Sequence, residues 1–214
     1  YPEDMVNKSI AQGEFNKLYA QIPDSATAQL LNTDRPNILL IILEGFTAKI
    51  IAPLGGRPEI TPNFNRLSKS GVLFDHYYAS GDRTDKGLIS ILSGYPAQTK
   101  TSIIKYAGKT EKLPKITLDL KKEAYQTSYV YGGDVNFANM NSYLNMCGFS
   151  EIIDKSYFNS EQVTSKWGVH DDIVFDTLQN HLARQQEPFF ATLLTLSSHE
   201  PFDVPMEPVF EGQG

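Results

Sequence analysis

Six consecutive aliphatic residues at 38–43, followed at once by Glu44 and Gly45, constrain this chain more than any other stretch. The run is far shorter than the roughly 20 apolar residues of a membrane span. It also lacks the alternation of a strand with one wet face, so it predicts a central strand of a parallel sheet with helices over both faces. In open α/β sheets ligands collect at the carboxyl ends of strands, which makes Glu44 a candidate functional group. A solvated carboxylate after a core strand is the plain alternative.

The surrounding pattern supports that class. Residues 1–34 read as a helical lead-in and linker, with an amphipathic stretch at 5–22 and a polar segment at Pro23, Asp24 and Ser25; residues 35–214 hold the main unit. Thr61 and Pro62 open a helix that Gly71 is expected to close in a left-handed cap. A strand is expected at 72–78. A helix follows with Leu88, Ile91 and Leu92 at helical spacing, ended by Gly94 and Pro96. Further on, a helix at 116–124, a strand at 127–131, a helix at 137–146 and a short strand at 151–154 are expected. A helix after Trp167 and a strand at 188–198 that delivers His199 complete the series. Such alternation predicts an α/β fold with a mainly parallel sheet flanked by helices.

With 214 residues, 41% of them apolar, the chain can bury one large core. A formal charge of −6 argues against general nucleic-acid binding, which needs a basic face. Seven lysines between Lys100 and Lys122 form a local exception. They read either as solvated surface or as a contact for anionic lipid headgroups or phosphate. Cys147, the only cysteine, reads as a small core residue. No stretch has the length of a membrane span or the form of a signal peptide, so any membrane anchor is expected outside these residues.

Polar groups of catalytic type cluster at the predicted strand ends: Glu44, the Asp82-Arg83-Thr84 loop, Asp134 and His199. Thr84 falls at a predicted helix N-terminus, where free amides and the helix dipole favour an anion such as phosphate. Equally, Thr84 or Asp82 could serve only as an N-cap. His76 and His181 read as ordinary residues, and Trp167 as either a core aromatic or a pocket wall.

The order of these features resembles the alkaline phosphatase and sulfatase superfamily. The strand ending in Glu44, then Thr-Pro-Asn-Phe-Asn-Arg-Leu at 61–67, then a loop with Thr84 carry the likeness. Within the superfamily the chain is most similar to the lipoteichoic acid synthase and phosphoethanolamine transferase group, over about residues 35 to 205. The resemblance implies Glu44 as a metal ligand, Thr84 as both metal ligand and phosphoryl-accepting nucleophile, and Trp167 and His199 as groups that line the substrate pocket; Asp134 and His170, at positions where family members vary, and Arg83, beside Thr84, complete the expected substrate-binding set. It implies a divalent metal (Mn, Zn or Mg) whose remaining ligands, an Asp-His pair among them, are expected beyond residue 214. The implied partners are a phospholipid headgroup donor, a glycan or glycolipid acceptor and a membrane surface reached through a separate N-terminal anchor, on the extracytoplasmic side. The formylglycine signal of sulfatases, Cys or Ser followed by x-Pro-x-Arg, is replaced by Thr84-Asp-Lys-Gly87, which argues against arylsulfatase chemistry. A phosphodiesterase or phosphatase of the same fold, and a non-catalytic binding domain, are the alternative readings.

Overall fold

The computed structural model describes residues 7–18 and 29–207. The chain divides into two compact units, 1–34 and 35–214. In the first, helix α1 covers Lys8–Leu18, inside the expected 5–22; the ends of that stretch and the polar segment at 23–25 lie outside the described residues.

The second unit is built on a four-stranded, wholly parallel sheet in the order β1-β4-β2-β3. Strand β1 is Ile38–Ile42, β2 is Gln126–Tyr131, β3 is Glu151–Ile153 and β4 is Phe189–Leu194. The helices are α2 (Pro62–Leu67), α3 (Thr84–Ser93), α4 (Ala107–Thr110), α5 (Ile116–Lys122), α6 (Met140–Cys147) and α7 (Asp171–Leu182).

Because strand side chains alternate between faces, the two central strands sort their residues into two cores. Tyr129, Tyr131, Phe190 and Leu194 point into the larger one, with Leu88, Ile89 and Leu92 of α3 and Met140, Tyr143, Leu144 and Cys147 of α6. Val130 and Leu193 point the other way, against Val174 and Leu178 of α7.

Four expectations need correction. First, β1 is an edge strand, not a central one. Ile38, Leu40 and Ile42 pack on the larger core, whereas Leu39 and Ile41 remain 42% and 39% exposed, because the second core forms around β2, β3 and β4 and takes no residue from β1. Second, residues 72–78 form no strand: Phe74, Tyr77 and Tyr78 are exposed, and none pairs with the sheet. His76 therefore sits in irregular chain and not in a strand. Third, α2 stops at Leu67 with Ser68 in the right-handed helical region, so Gly71 is not its cap. Gly94 does end its helix, in left-handed conformation, and Gly148 closes α6 in the same way. Fourth, the buried face of α3 uses Leu88, Ile89 and Leu92, and Ile91 is 39% exposed.

Candidate active site

Three parallel strands deliver their carboxyl ends to one edge of the sheet, and α3 begins beside them. The first end carries Glu44. After β4 the chain continues alongside it: the Thr195 amide donates to the Ile42 carbonyl at 3.0 Å, and the Glu44 amide donates to Thr195 Oγ1 at 2.9 Å. Gly45 follows at φ 68°, with a would-be Cβ only 2.6 Å from the Ser198 carbonyl oxygen. Glycine is thus needed there both for the left-handed turn and for the close approach to Ser198, in the segment that follows β4.

Thr84 is the first residue of α3, and Arg83 stands at the N-cap position without a side-chain capping bond. The capping alternative for Thr84 or Asp82 is therefore not what the helix uses. Instead the Thr84 hydroxyl donates to Glu44 Oε2 at 2.8 Å, across 40 residues of sequence. Asp82, fully exposed, is held below the usual carboxylate range first by its hydrogen bond from Lys86, 3.1 Å away. Arg83 is exposed beside the pair. The first amides of α3 have no helical acceptor by construction, so Thr84 sits where a negative group is favoured.

The second cluster gathers around Trp167. Gly132, Gly133 and Gly168 let two loops meet backbone to backbone: Gly133 bridges Gly168, and a Cβ on Gly168 would collide with the Gly132 carbonyl. That contact sets Asp134, at the end of β2, and Trp167 on the wall of one cavity of about 410 Å³ with Tyr131, Phe137, Lys155 and Lys166. A neighbouring cavity of about 530 Å³ shares Asp134 and Lys155. Trp167 Nε1 donates to the Glu200 carbonyl at 2.7 Å, and its ring lies 4.8 Å from that of His199, centroid to centroid. His199 Nδ1 is 2.9 Å from the same carbonyl. A carbonyl only accepts, so in this contact Nδ1 carries the hydrogen and Nε2 is the nitrogen left for other partners.

Glu44 and Thr84 thus meet directly, as do Trp167 and His199, while Asp134 shares a cavity with Trp167. His170 does not join them: it is 3% exposed, at the N-cap position of α7, with no hydrogen-bond partner on Nδ1. The Asp75-His76 dipeptide is exposed, its side chains 2.8 Å apart from each other. Burial pushes the Tyr131 phenol well above its ordinary value, and the nearby charges of Glu44, Asp134 and Asp171 add to that.

Several contributing residues escaped the sequence reading. Thr195, which holds Glu44, looked like one more strand residue. Asp171 accepts the Leu196 amide at 2.7 Å and the Ser197 amide at 2.8 Å, and so pins the chain between β4 and His199. An acidic residue opening a helix is common enough that only its tertiary partners reveal this role. Tyr131, Lys155 and Lys166 enter the cavity wall only because the glycine loops meet.

The chain is similar to several known proteins. Phosphoglycerol transferase I of Xanthomonas campestris pv. campestris is 30% identical over 157 residues, covering 67% of this chain and 22% of that protein. Lipoteichoic acid synthase of Staphylococcus aureus is 28% identical over 177 residues, covering 78% of this chain and 27% of that protein. The chain therefore spans about a quarter of the length of these curated relatives. A crystal structure of a protein in the alkaline phosphatase superfamily from Vibrio parahaemolyticus superposes with a TM-score of 0.75 at 28% identity, over 83% of this chain and 45% of that one. The Sulfatase family model matches residues 36–211, most of the sequence, and the chain belongs to the Sulfatase family.

Proposed function

We propose that this chain supplies the nucleophile side of a metal-dependent transferase that moves a phosphoglycerol or phosphoethanolamine headgroup from a phospholipid to an acceptor hydroxyl on a glycan or glycolipid. The observation that carries the reading is the 2.8 Å hydrogen bond from Thr84 to Glu44 at the start of α3. The names of the phosphoglycerol transferase and lipoteichoic acid synthase relatives support the kind of reaction.

Two hard oxygen donors this close suit Mg, Mn or Zn. Among the described residues no group of three or more His, Cys, Asp or Glu converges on a point. Glu44 and Thr84 therefore fit as part of a metal site, with the other ligands coming from outside the described residues. A divalent cation held there would lower the pKa of the Thr84 hydroxyl and neutralise phosphate charge.

In this scheme Glu44 orients the Thr84 hydroxyl so that an oxygen lone pair faces the phosphorus, and the proton leaves along their hydrogen bond. A new bond joins Thr84 Oγ1 to phosphorus and the bond to the diacylglycerol oxygen breaks. His199, positioned by the Glu200 carbonyl and the Trp167 ring, enters this step as the imidazolium, with Nδ1–H kept on that carbonyl, and gives the leaving oxygen its Nε2 proton. The first-turn amides of α3 and the exposed Arg83 stabilise charge on the phosphate. An acceptor hydroxyl then gives its proton to His199 Nε2 and attacks the phospho-Thr84 diester, the bond from phosphorus to Thr84 Oγ1 breaks, and Glu44 returns its proton to the threonine oxygen. Asp134 and Trp167 bind the headgroup, on a wall that also carries Lys155 and Lys166. The reaction takes place on the extracytoplasmic face of the membrane that holds the lipid; among the described residues no helix is long and apolar enough to cross it.

The test is intact and peptide mass spectrometry of the protein at its full natural length, incubated with divalent metal and either phosphatidylglycerol or phosphatidylethanolamine. A headgroup-phosphate adduct on Thr84, absent in Thr84→Ala, is the expected result, and the lipid that produces it names the substrate. Release of free headgroup phosphate with no acceptor product would replace the transferase with a hydrolase. Turnover retained in Thr84→Ala would remove the nucleophile assignment altogether.

A further inference from the structure

Residues 100–112 hold four lysines and one glutamate in a chain whose formal charge is −6. Ile104 and Thr110 are buried at 2% and 1% exposure, whereas all five residues between them, 105–109, are exposed. The inner side of the segment belongs to the fold, since Ile104 joins Leu88 and Leu92 in the larger core. The outer side presents Lys105, Tyr106 and Lys109. Tyr106 is 48% exposed, and the Lys109 ammonium stands 4.9 Å from its ring centroid. Lys100, Lys105 and Lys112 have no carboxylate partner among the described residues. By contrast, Lys121 donates to the Gly148 carbonyl at 2.7 Å and Lys122 pairs with Asp119 at 2.6 Å.

This turn is also stiffened from within. Lys115 is 3% exposed, and its ammonium donates to the carbonyls of Thr110, Glu111 and Leu113 at 3.0, 3.0 and 2.8 Å. A buried cation that closes the end of α4 in this way fixes the backbone carrying the exposed lysines, so less order is lost when they bind. The segment is tied to the nucleophile helix as well. Ser102 donates to the Asp85 carbonyl at 3.4 Å, one residue beyond Thr84, and Ser102 and Ile103 line a crevice with Lys86 of α3.

We infer that the exposed turn around Lys105, Tyr106 and Lys109, with Lys100 and Lys112 beside it, docks on an anionic lipid surface and holds the start of α3 close to the bilayer. A tyrosine between lysines suits the headgroup layer, where the ring takes an interfacial position and the ammoniums meet anionic lipid. A nucleic acid would have to approach a chain that is acidic elsewhere, and the basic face is only one turn long. The inference goes beyond the reaction proposed above: vesicle binding needs no turnover, so either can fail without the other.

Sedimentation of the 214-residue chain with vesicles tests it. Phosphatidylcholine vesicles containing about one third phosphatidylserine should bind the protein, pure phosphatidylcholine vesicles should not, and high salt should release it. Phosphatidylserine supplies charge without offering either proposed headgroup substrate. The double variant Lys105→Gln/Lys109→Gln should bind about 30-fold more weakly, at roughly fivefold for each lysine near an anionic surface. Lys121→Gln/Lys122→Gln, whose ammoniums already have partners, should lose less than about threefold. Both variants alter exposed side chains, and circular dichroism should match the parent. Equal losses in the two variants, or no preference for anionic vesicles, would overturn the inference. So would retention on polyuridylate without binding to vesicles, which would point to nucleic acid instead.

Discussion

Strands β1 and β4 lie side by side in register, Ile38 opposite Phe190 through Ile42 opposite Leu194. Both are rich in large apolar residues, and each leads to a group of the candidate site, Glu44 and His199. Their surroundings differ. On β4 every residue from Phe190 to Leu194 is 2% exposed or less, while β1 alternates, with Leu39 and Ile41 open to solvent. The carboxylate is thus carried by the less buried strand and takes its position from the more buried one, through Thr195. Stability and site geometry should therefore respond to damage in β4 far more than to damage in β1.

The largest effect is expected at Leu193, fully buried between β4 and α7. Leu193→Ala removes packed methyl groups from a dry core and should cost about 3–5 kcal/mol in urea unfolding. A loss below about 1 kcal/mol would mean that the second core is far looser than its burial indicates.

Next comes the segment that follows β4. Asp171 receives two consecutive backbone amides, and hydrogen bonds to a charged group contribute about 1.5–3 kcal/mol. Asp171→Ala should lower stability by about 2–3 kcal/mol and loosen His199. Asp171→Asn keeps one acceptor oxygen and should recover part of that. If the two variants behave alike, the carboxylate is not what pins the loop.

The larger core that β4 shares with α6 gives a pH-dependent version of the same contrast. Burial pushes the Cys147 thiol from 9.0 up to about 11. Folding therefore favours the protonated thiol, and its contribution is complete below pH 9. It falls as the pH rises from 9 towards 11, by about 1.4 kcal/mol at one unit above 9. Buried Tyr129, Tyr131 and Tyr143, all displaced upward chiefly by burial, add the same sign at higher pH. Cys147→Ala should flatten the curve of stability against pH between 9 and 10. A curve unchanged by that substitution would assign the alkaline loss to the tyrosines alone.

Much of this arrangement was legible in the sequence because it rests on local chemistry. An aliphatic run ending in a carboxylate, a threonine opening an apolar-periodic helix and a histidine after a core strand all reflect strand and helix termini, which residue patterns mark directly. Burial of β1 was not legible, because six aliphatic residues show that a strand forms but not how many neighbours it has. Residues 72–78 carry a pattern suited to a strand, yet a strand also needs a partner, and none of the described strands pairs with them. The roles of Thr195, Asp171 and Lys155 depend on contacts between segments far apart in sequence. His170 lies only a few residues from Trp167 in sequence, and its burial was not legible there because it comes from the turn into α7.

The smallest effect separates the two strands most directly. Leu39 faces the side of the sheet that α7 leaves open, at 42% exposure, so only part of its side chain has left water. Removing it should cost about 1 kcal/mol, against the 1.5–3 kcal/mol gained by burying such a side chain completely. Leu39→Ala should also leave the Glu44–Thr84 hydrogen bond in place, because Glu44 is held from Thr195 and not from the outer face of β1. A double-mutant comparison with Leu193→Ala is the informative measurement. The two residues lie on adjacent strands but not in one packed cluster, so their costs should add to within about 0.5 kcal/mol. Strong coupling between them would mean that the face of β1 is covered in solution, and that the contrast between the strands belongs to this chain only when it stands alone.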